Sequence, residues 1–192
     1  PLFEKVLAIA FVQVIAFSML EMAYVLFIER RFDLSPLETT LYSGRVFTFI
    51  GVVLALVQGV LLQRLVRAFS EVNLLRSGIA LVLGAMVLIP LTPAGHWPFF
   101  LLATAMAGAG QALVAPTLLG LVSRLALDTA QGSALGAYQS VQSLARVIGP
   151  LSAGLLFDFA GENAPYQVAA LLTAWALWRA RKVSAPRVES AL

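Results

Sequence analysis

Six long apolar runs, separated by short polar breaks, occupy nearly all of the 192-residue chain. Each run approaches or exceeds the roughly 20 residues that a helix needs to cross the hydrocarbon of a bilayer. The pattern therefore predicts an all-α membrane protein whose residues 1–182 form one bundle of six transmembrane helices. We place the spans near residues 5–29, 38–63, 72–91, 97–123, 131–157 and 165–180, followed by a polar tail at 183–192.

The composition agrees with a chain that lives in a lipid bilayer. Hydrophobic residues make up 60% of the sequence and charged residues only 12%, against about 25% charged in soluble domains. The sequence contains no cysteine, which excludes disulfides, thiolate nucleophiles and Cys-based metal sites. A scattered net charge of +3 does not indicate nucleic-acid binding. No metal or cofactor is expected.

The start of the chain and its basic residues set the expected topology. The chain starts at Pro1, and its first apolar run lacks a basic leader and a cleavage site, so we expect a processed start or a piece of a longer protein. Basic residues near span ends tend to stay cytoplasmic. If residue 1 is inside, both termini are cytoplasmic, and the inner segments hold Lys5, Arg64, Arg67, Arg76, Arg124, Arg179, Arg181, Lys182 and Arg187, against Arg30 and Arg31 outside.

Polar side chains follow helical stripes on four of the six spans. Because polar groups are costly in hydrocarbon, such stripes indicate helices that face protein or water. The third and sixth spans carry almost none and are predicted to be lipid-facing supports. The second span has a face of Gly44, Gly51, Ala55 and Gln58. Candidates for the lining of a substrate cavity on the other three striped spans are Gln13, Tyr24, Thr104, Gln111, Gln139, Gln142 and Ser143.

Three charged residues within the spans are candidates for proton or charge coupling. Glu21 and Arg45 each lie roughly 12 Å inside the outer end of their helix, so an ion pair between them is geometrically allowed. Alternatively, one or both lie in a water-filled vestibule without touching. Arg146 lies deeper: it either satisfies carbonyls of a broken neighbouring helix or acts as a cation that meets substrate or pairs with Glu21. The glutamines have an alternative role as interhelical hydrogen-bonding residues.

Small residues and prolines mark candidate sites of close packing and of helix breaks. Gly132, Gly136 and Ser140 are spaced by four, which lets two helices approach closely. Prolines inside apolar runs kink or break a helix, and broken helices often build transporter sites. These helix-break and close-packing candidates are Gly108, Pro116, Gly132, Gly136, Gly149 and Pro150.

Three segments carry a family resemblance. Residues 108–116, 131–136 and 139–150 resemble helices ten and eleven of major facilitator superfamily transporters, above all those of the bacterial drug and tetracycline proton-antiporter branch. The segment at 58–69, with Arg64 and Arg67, looks like that family's basic cytoplasmic loop between helices eight and nine. The family's acidic residue and second glycine in this loop are replaced here by Gln63 and Val66.

The resemblance implies that the chain is the C-terminal half of a twelve-helix transporter, with an N-terminal six-helix half as partner. It further implies proton-coupled export of a small amphipathic molecule across the bacterial inner membrane by alternating access. Glu21 is the candidate proton carrier, because it is the only acidic residue well inside a predicted span. The alternative is a non-transporting sensor or scaffold domain with a transporter-like fold. An enzyme is not expected, since the single histidine, His96, falls in a predicted loop and no paired carboxylates lie mid-span.

Overall fold

All regular elements of the computed structural model are helices, and the structure describes residues 2–126 and 130–183. The predicted tail at 183–192 lies outside the described residues except for Val183. The elements are α1 (Leu2–Phe32), α2 (Pro36–Leu56), a π-helical turn (Val57–Leu61), α3 (Leu62–Ala68), α4 (Glu71–Leu88), a 3₁₀ turn (Ile89–Leu91), α5 (Trp97–Leu125), α6 (Gln131–Ala160) and α7 (Ala164–Arg181).

Five helical stretches are long and apolar enough to cross a membrane: Leu2–Phe32, Pro36–Ala68, Glu71–Leu91, Trp97–Leu125 and Gln131–Ala160. The stretch from 36 to 68 joins α2, the π-helical turn and α3. The last helix, α7, has 18 residues and ends on Arg179 and Arg181, and it does not reach the hydropathy of the other five. The sixth span, at 165–180, therefore stays a prediction.

The helix ends follow local hydrogen bonding and do not coincide with the ends of the apolar runs. Ser35 and Glu38 form a capping box at the start of α2, in which Glu38 Oε2 accepts from the Ser35 backbone N–H at 3.0 Å. At the other end of this stretch, α3 continues to Ala68, five residues beyond the predicted span. Gln63, Arg64, Leu65 and Arg67 have good helix propensity, so the helix continues after the hydropathy falls.

Neither internal proline breaks its helix. α5 continues through Pro116 and α6 through Pro150, so the expected helix breaks are not found, and both sites are internal positions of long helices. A proline removes only one backbone donor, and a neighbouring group can compensate in a membrane helix. The carbonyl that Pro116 leaves without its backbone donor is that of Ala112, while the neighbouring Thr117 hydroxyl donates to the carbonyl of Leu113 at 2.7 Å.

The helices differ in how far the rest of the bundle buries them. α4 packs mainly on α5, α1 packs mainly on α6, and α7 fills the space behind α1 and α4. Over 18-residue windows, α1 and α5 are 56% buried, whereas α6 is 22% buried and the Pro36–Ala68 stretch only 11%. The second and fifth predicted spans therefore present most of their surface outward from this chain.

Two arginines tie the ends of the bundle together. At the end of α1, Arg31 donates to the backbone carbonyls of Thr92 and Pro90 and forms an ion pair with Glu162 at 2.7 Å. At the opposite end, Arg76 of α4 donates to three carbonyls at the end of α7, those of Ala180, Arg181 and Val183. Arg76 thus satisfies carbonyls that a helix C-terminus leaves without an intrahelical partner.

Candidate functional site

A polar cavity of about 200 Å³ lies where α1, α5 and α6 meet. Leu54 of α2 contributes to its wall, and none of its lining residues comes from α4 or α7. Polar groups in the interior of a membrane protein usually face such a wet space and not lipid. The polar lining residues are Gln13, Ser18, Glu21, Gln111, Tyr138, Gln142 and Arg146, and the apolar ones are Val14, Phe17, Leu54, Val114, Ala115 and Leu118.

Glu21 and Arg146 face this cavity from α1 and α6. Both residues are exposed and line the cavity. Within the described residues, no ion pair joins Glu21 to Arg146 or to Arg45. The cavity wall therefore carries one carboxyl group and one guanidinium that do not bond to each other.

Gln13 is the most enclosed polar residue of the lining. Its side chain is 1% exposed, and neither its amide nitrogen nor its amide oxygen has a hydrogen-bond partner among the described residues. The amide oxygen of Gln111, across the cavity on α5, also lacks one. A buried amide without a partner costs about 1–3 kcal/mol. Two helices thus present unsatisfied carboxamides to the same space.

A close contact between α1 and α6 positions the cavity walls that carry Glu21 and Arg146. A Cβ built on Gly149 of α6 would lie 2.7 Å from the Cβ of Ser18 and 2.9 Å from the carbonyl oxygen of Ile15 on α1. Only glycine fits at this distance, and the contact brings α6 against the helix that carries Gln13 and Glu21. Gly108 is packed less tightly, with Val53 of α2 at 3.4 Å from its built Cβ.

A second cavity of about 360 Å³ adjoins the first at the end where α3 begins. Ala115, Tyr138 and Gln142 line both cavities, so these three residues form a shared wall. Gln58 of the π-helical turn and Pro116 of α5 lie in the second cavity. π-Helical turns are frequent at functional sites. The full lining is Gln58, Leu62, Ala115, Pro116, Leu119, Tyr138, Gln139 and Gln142.

Several predicted site residues lie elsewhere. Tyr24 is buried and donates to the hydroxyl of Thr104 at 3.3 Å, so both belong to the α1–α5 core. Arg45 lies over the ring of Tyr42, 5.3 Å from its centroid, and not beside Glu21. Ser143 is exposed on α6 and lines neither polar cavity. A Cβ on Gly132 or Gly136 would meet no described atom within 4 Å.

Tyr138 and Ser18 belong to the lining although their sequence positions were not among the candidates. Tyr138 lies four and eight residues before Gln142 and Arg146, so the same helical stripe extended by one turn would have included it. Ser18 carries no comparable signal. Arg64 and Arg67 were expected in a loop, but both lie exposed on the helix α3, and they line neither polar cavity. In the described ranges no group of three potential metal-ligating side chains occurs.

A bundle of long apolar helices around a polar cavity defines an integral membrane protein with an internal solute-sized space. A family model described as Major Facilitator Superfamily matches residues 6–191. Because this match covers nearly the whole sequence, the chain belongs to the major facilitator superfamily, a family of membrane transporters, as the resemblance of residues 108–150 predicted.

Relatives from animals and bacteria match the chain over most of its length. Bovine major facilitator superfamily domain-containing protein 10 is 29% identical over 163 residues, which are 84% of this chain and 34% of that protein. Multidrug resistance protein 1 of Bacillus subtilis (strain 168) is 26% identical over 174 residues, which are 91% of this chain and 43% of that protein.

The fold also matches a solved transporter structure. The crystal structure of the human organic anion transporter MFSD10 (TETRAN) superposes with a TM-score of 0.84 at 25% identity, covering 93% of this chain and 40% of that one. The chain therefore spans less than half the length of each of these three proteins.

Proposed function

We propose that this chain is the C-terminal six-helix half of a twelve-helix secondary transporter and corresponds to helices seven to twelve. Its 34–43% share of its relatives' length supports this assignment. So does the uneven covering of the helices, because α2 and α6 leave uncovered surface on which a partner can pack. The partner is an N-terminal six-helix half, and the complete site lies between the two halves.

The observation that carries a transport function is the cavity that brings Glu21, Arg146 and the unpartnered Gln13 together. In transporters, substrate sites lie near mid-membrane at the interface between structural repeats, and the surrounding bundles rock around them. The shared wall of Ala115, Tyr138 and Gln142 separates the central cavity from a second one towards α3. Rocking of the two halves would connect these spaces to one side of the membrane at a time.

Glu21 is the proposed proton carrier for export of a small amphipathic molecule. It is the acidic residue that lies well inside a span, whereas Asp158 and Glu162 lie near the end of α6. Arg146 faces the same cavity from α6, where its guanidinium can interact with Glu21 or with an anionic group of the substrate. The names of two relatives, a multidrug resistance protein and an organic anion transporter, support a small organic substrate.

The proposed location is the bacterial inner membrane with both termini in the cytoplasm. The excess of basic residues at the α3 and α7 ends of the bundle supports this orientation. In that orientation Arg31 and Glu162 lie at the outer surface, and Arg64, Arg67 and Arg76 at the inner one.

The test uses the full-length protein in proteoliposomes under an imposed pH gradient, with ethidium and tetracycline as probe substrates. Glu21→Gln should abolish gradient-driven accumulation of a transported probe but retain downhill counterflow, because the site still binds without a titrating group. Glu29→Gln, an exposed position at the end of the same helix, is the matched control. Undiminished gradient-driven transport by Glu21→Gln would remove the coupling role.

A further inference from the structure

A ladder of three aromatic rings and one guanidinium crosses the end of the bundle where α2 begins. The rings of Phe32 and Trp97 stack at 3.8 Å between centroids with an interplanar angle of 21°. Trp97 and Tyr42 stack at 4.9 Å and 22°. The Arg45 guanidinium then lies over Tyr42 at 5.3 Å from the ring centroid. The ladder joins α1, α5 and α2 and fixes the position of Arg45.

Beside this ladder lies a groove of about 290 Å³ between α2 and α5. Arg45 is its one charged residue, and the remaining walls are aromatic or aliphatic. The lining residues are Tyr42, Arg45, Val46, Phe49, Trp97 and Leu101.

The groove opens away from the polar cavity. α2 is a regular helix from Pro36 to Leu56, so residues advance by about 100° each around its axis. Leu54 faces the cavity, and Arg45, nine residues earlier, therefore points to the opposite side of α2. A second bundle that completes the cavity would dock on the Leu54 side, which leaves the Arg45 side for lipid.

The position of Arg45 calls for an anionic partner. Its side chain is exposed and forms no ion pair with any carboxylate of the described residues. It lies nine residues, about 13 Å, from the start of α2. Side chains on a helix tilt towards its N-terminus, so the guanidinium reaches towards the membrane interface at the Ser35 end. An unpaired guanidinium at this depth is costly, and the phosphate of a lipid headgroup is an anion that the surrounding bilayer supplies.

We propose that this groove binds one phospholipid from the leaflet that surrounds the start of α2. An acyl chain lies against Phe49, Val46 and Leu101, and Arg45 contacts the phosphate. Tyr42 and Trp97 flank the headgroup, as aromatic residues do at membrane interfaces. The groove shares no lining residue with the polar cavity.

The experiment is a titration of the delipidated full-length protein with palmitoyl-oleoyl phosphatidylglycerol in mild detergent, followed by native mass spectrometry. One lipid should bind more tightly than the rest. Arg45→Gln should weaken that lipid's binding about fivefold, the contribution of one basic residue near a membrane surface, and Arg45→Lys should retain most of it. Arg67→Gln, an exposed arginine of α3, should change nothing. The corresponding diacylglycerol, which lacks the phosphate, should bind Arg45→Gln and the unaltered protein equally.

Three results would overturn the proposal. The first is equal phosphatidylglycerol affinity for Arg45→Gln and the unaltered protein while both remain folded. The second is a loss of thermal stability in Arg45→Gln that is as large without lipid as with it, because Arg45 would then be paired with a carboxylate of the protein itself. Inorganic phosphate that competes as well as the lipid would assign the site to a free anion and also contradict a phospholipid.

Discussion

Gly78 of α4 and Gly110 of α5 lie directly against each other where the two helices cross. A Cβ built on Gly110 would lie 2.7 Å from the carbonyl oxygen of Gly78, and one built on Gly78 would lie 2.9 Å from the carbonyl oxygen of Gly110. The obstacle on both sides is backbone, which cannot move aside as a side chain can. Close backbone approach at small residues stabilises helix pairs in membranes.

Gly110→Ala should therefore destabilise the protein by about 1–3 kcal/mol, the usual cost of overpacking. The measurement is the apparent melting temperature of the full-length protein in detergent. Gly84→Ala is the matched control in the same helix pair, because its new Cβ would meet only Cε of Met106 at 3.0 Å, the end of a flexible side chain. Equal melting temperatures for the two variants would contradict a tight α4–α5 crossing.

Gly149→Ala should impair transport as well as stability. The added methyl would push α6 away from Ser18 and Ile15 on α1 and so separate the walls that carry Arg146 and Glu21. Gly154→Ala on the same helix meets no described atom within 4 Å and should behave like the unaltered protein. Initial transport rates in proteoliposomes, normalised to folded protein, measure the effect. A Gly149→Ala variant with a normal rate would show that this contact does not position the cavity.

The ion pair of Arg31 and Glu162 should contribute more to stability than the pair of Arg124 and Glu71. The first pair has side-chain exposures of 18% and 29%, the second of 57% and 20%, and exposed pairs contribute only about 0.2–1 kcal/mol. Arg31 also donates to two backbone carbonyls that would lose a partner. Double-mutant cycles with Arg→Gln and Glu→Gln changes measure both couplings. A larger coupling for the Arg124 pair would reverse this ranking.

Gln13→Leu should lower the affinity for a transported probe without lowering the stability of the protein. Leucine removes two buried polar atoms that have no partner among the described residues, so the melting temperature should stay level or rise. Affinity for a transported probe should fall, because the cavity loses a donor and an acceptor. Gln63→Leu, on exposed α3, is the control. A marked fall in melting temperature would instead indicate that Gln13 bonds to the other half of the protein as a structural residue.

Run length and hydropathy were enough to place the long helices, because a lipid-crossing helix must be apolar over about 20 residues. They could not place the helix ends, which depend on capping groups such as Ser35 and Glu38. Run length and hydropathy also could not decide which arginine lies nearer to Glu21. Arg45 and Arg146 were both at a suitable depth, and only the packing of α6 on α1 through Gly149 decides which one shares its cavity.

The polar stripe on α1 illustrates a second limit of prediction from the sequence. Gln13, Glu21 and Tyr24 lie within a narrow arc of the helix, yet Gln13 and Glu21 line the cavity while Tyr24 is buried against Thr104. A helical wheel gives the direction in which a side chain points but not the group that it meets there. Along one face of a buried helix, the surroundings can change from a cavity to the packed core within one turn. Tyr138 shows the reverse case, because it was not among the candidates although it lies four and eight residues before Gln142 and Arg146 on α6 and lines the cavity with them.

The π-helical turn at Val57–Leu61 has a consequence for how α3 is oriented. The backbone N–H of Leu62 bonds to the carbonyl of Val57, five residues back instead of four. One surplus residue is accommodated without a break, so every later position is rotated by roughly 100° from where an uninterrupted α-helix would put it. Arg64 and Arg67 therefore point in directions that cannot be extrapolated from Ser43 or Leu54. Deleting one residue from the turn would remove the surplus and should leave both guanidinium groups on the side of the helix where they now lie, because an uninterrupted α-helix would then connect them to the membrane-embedded part of α2.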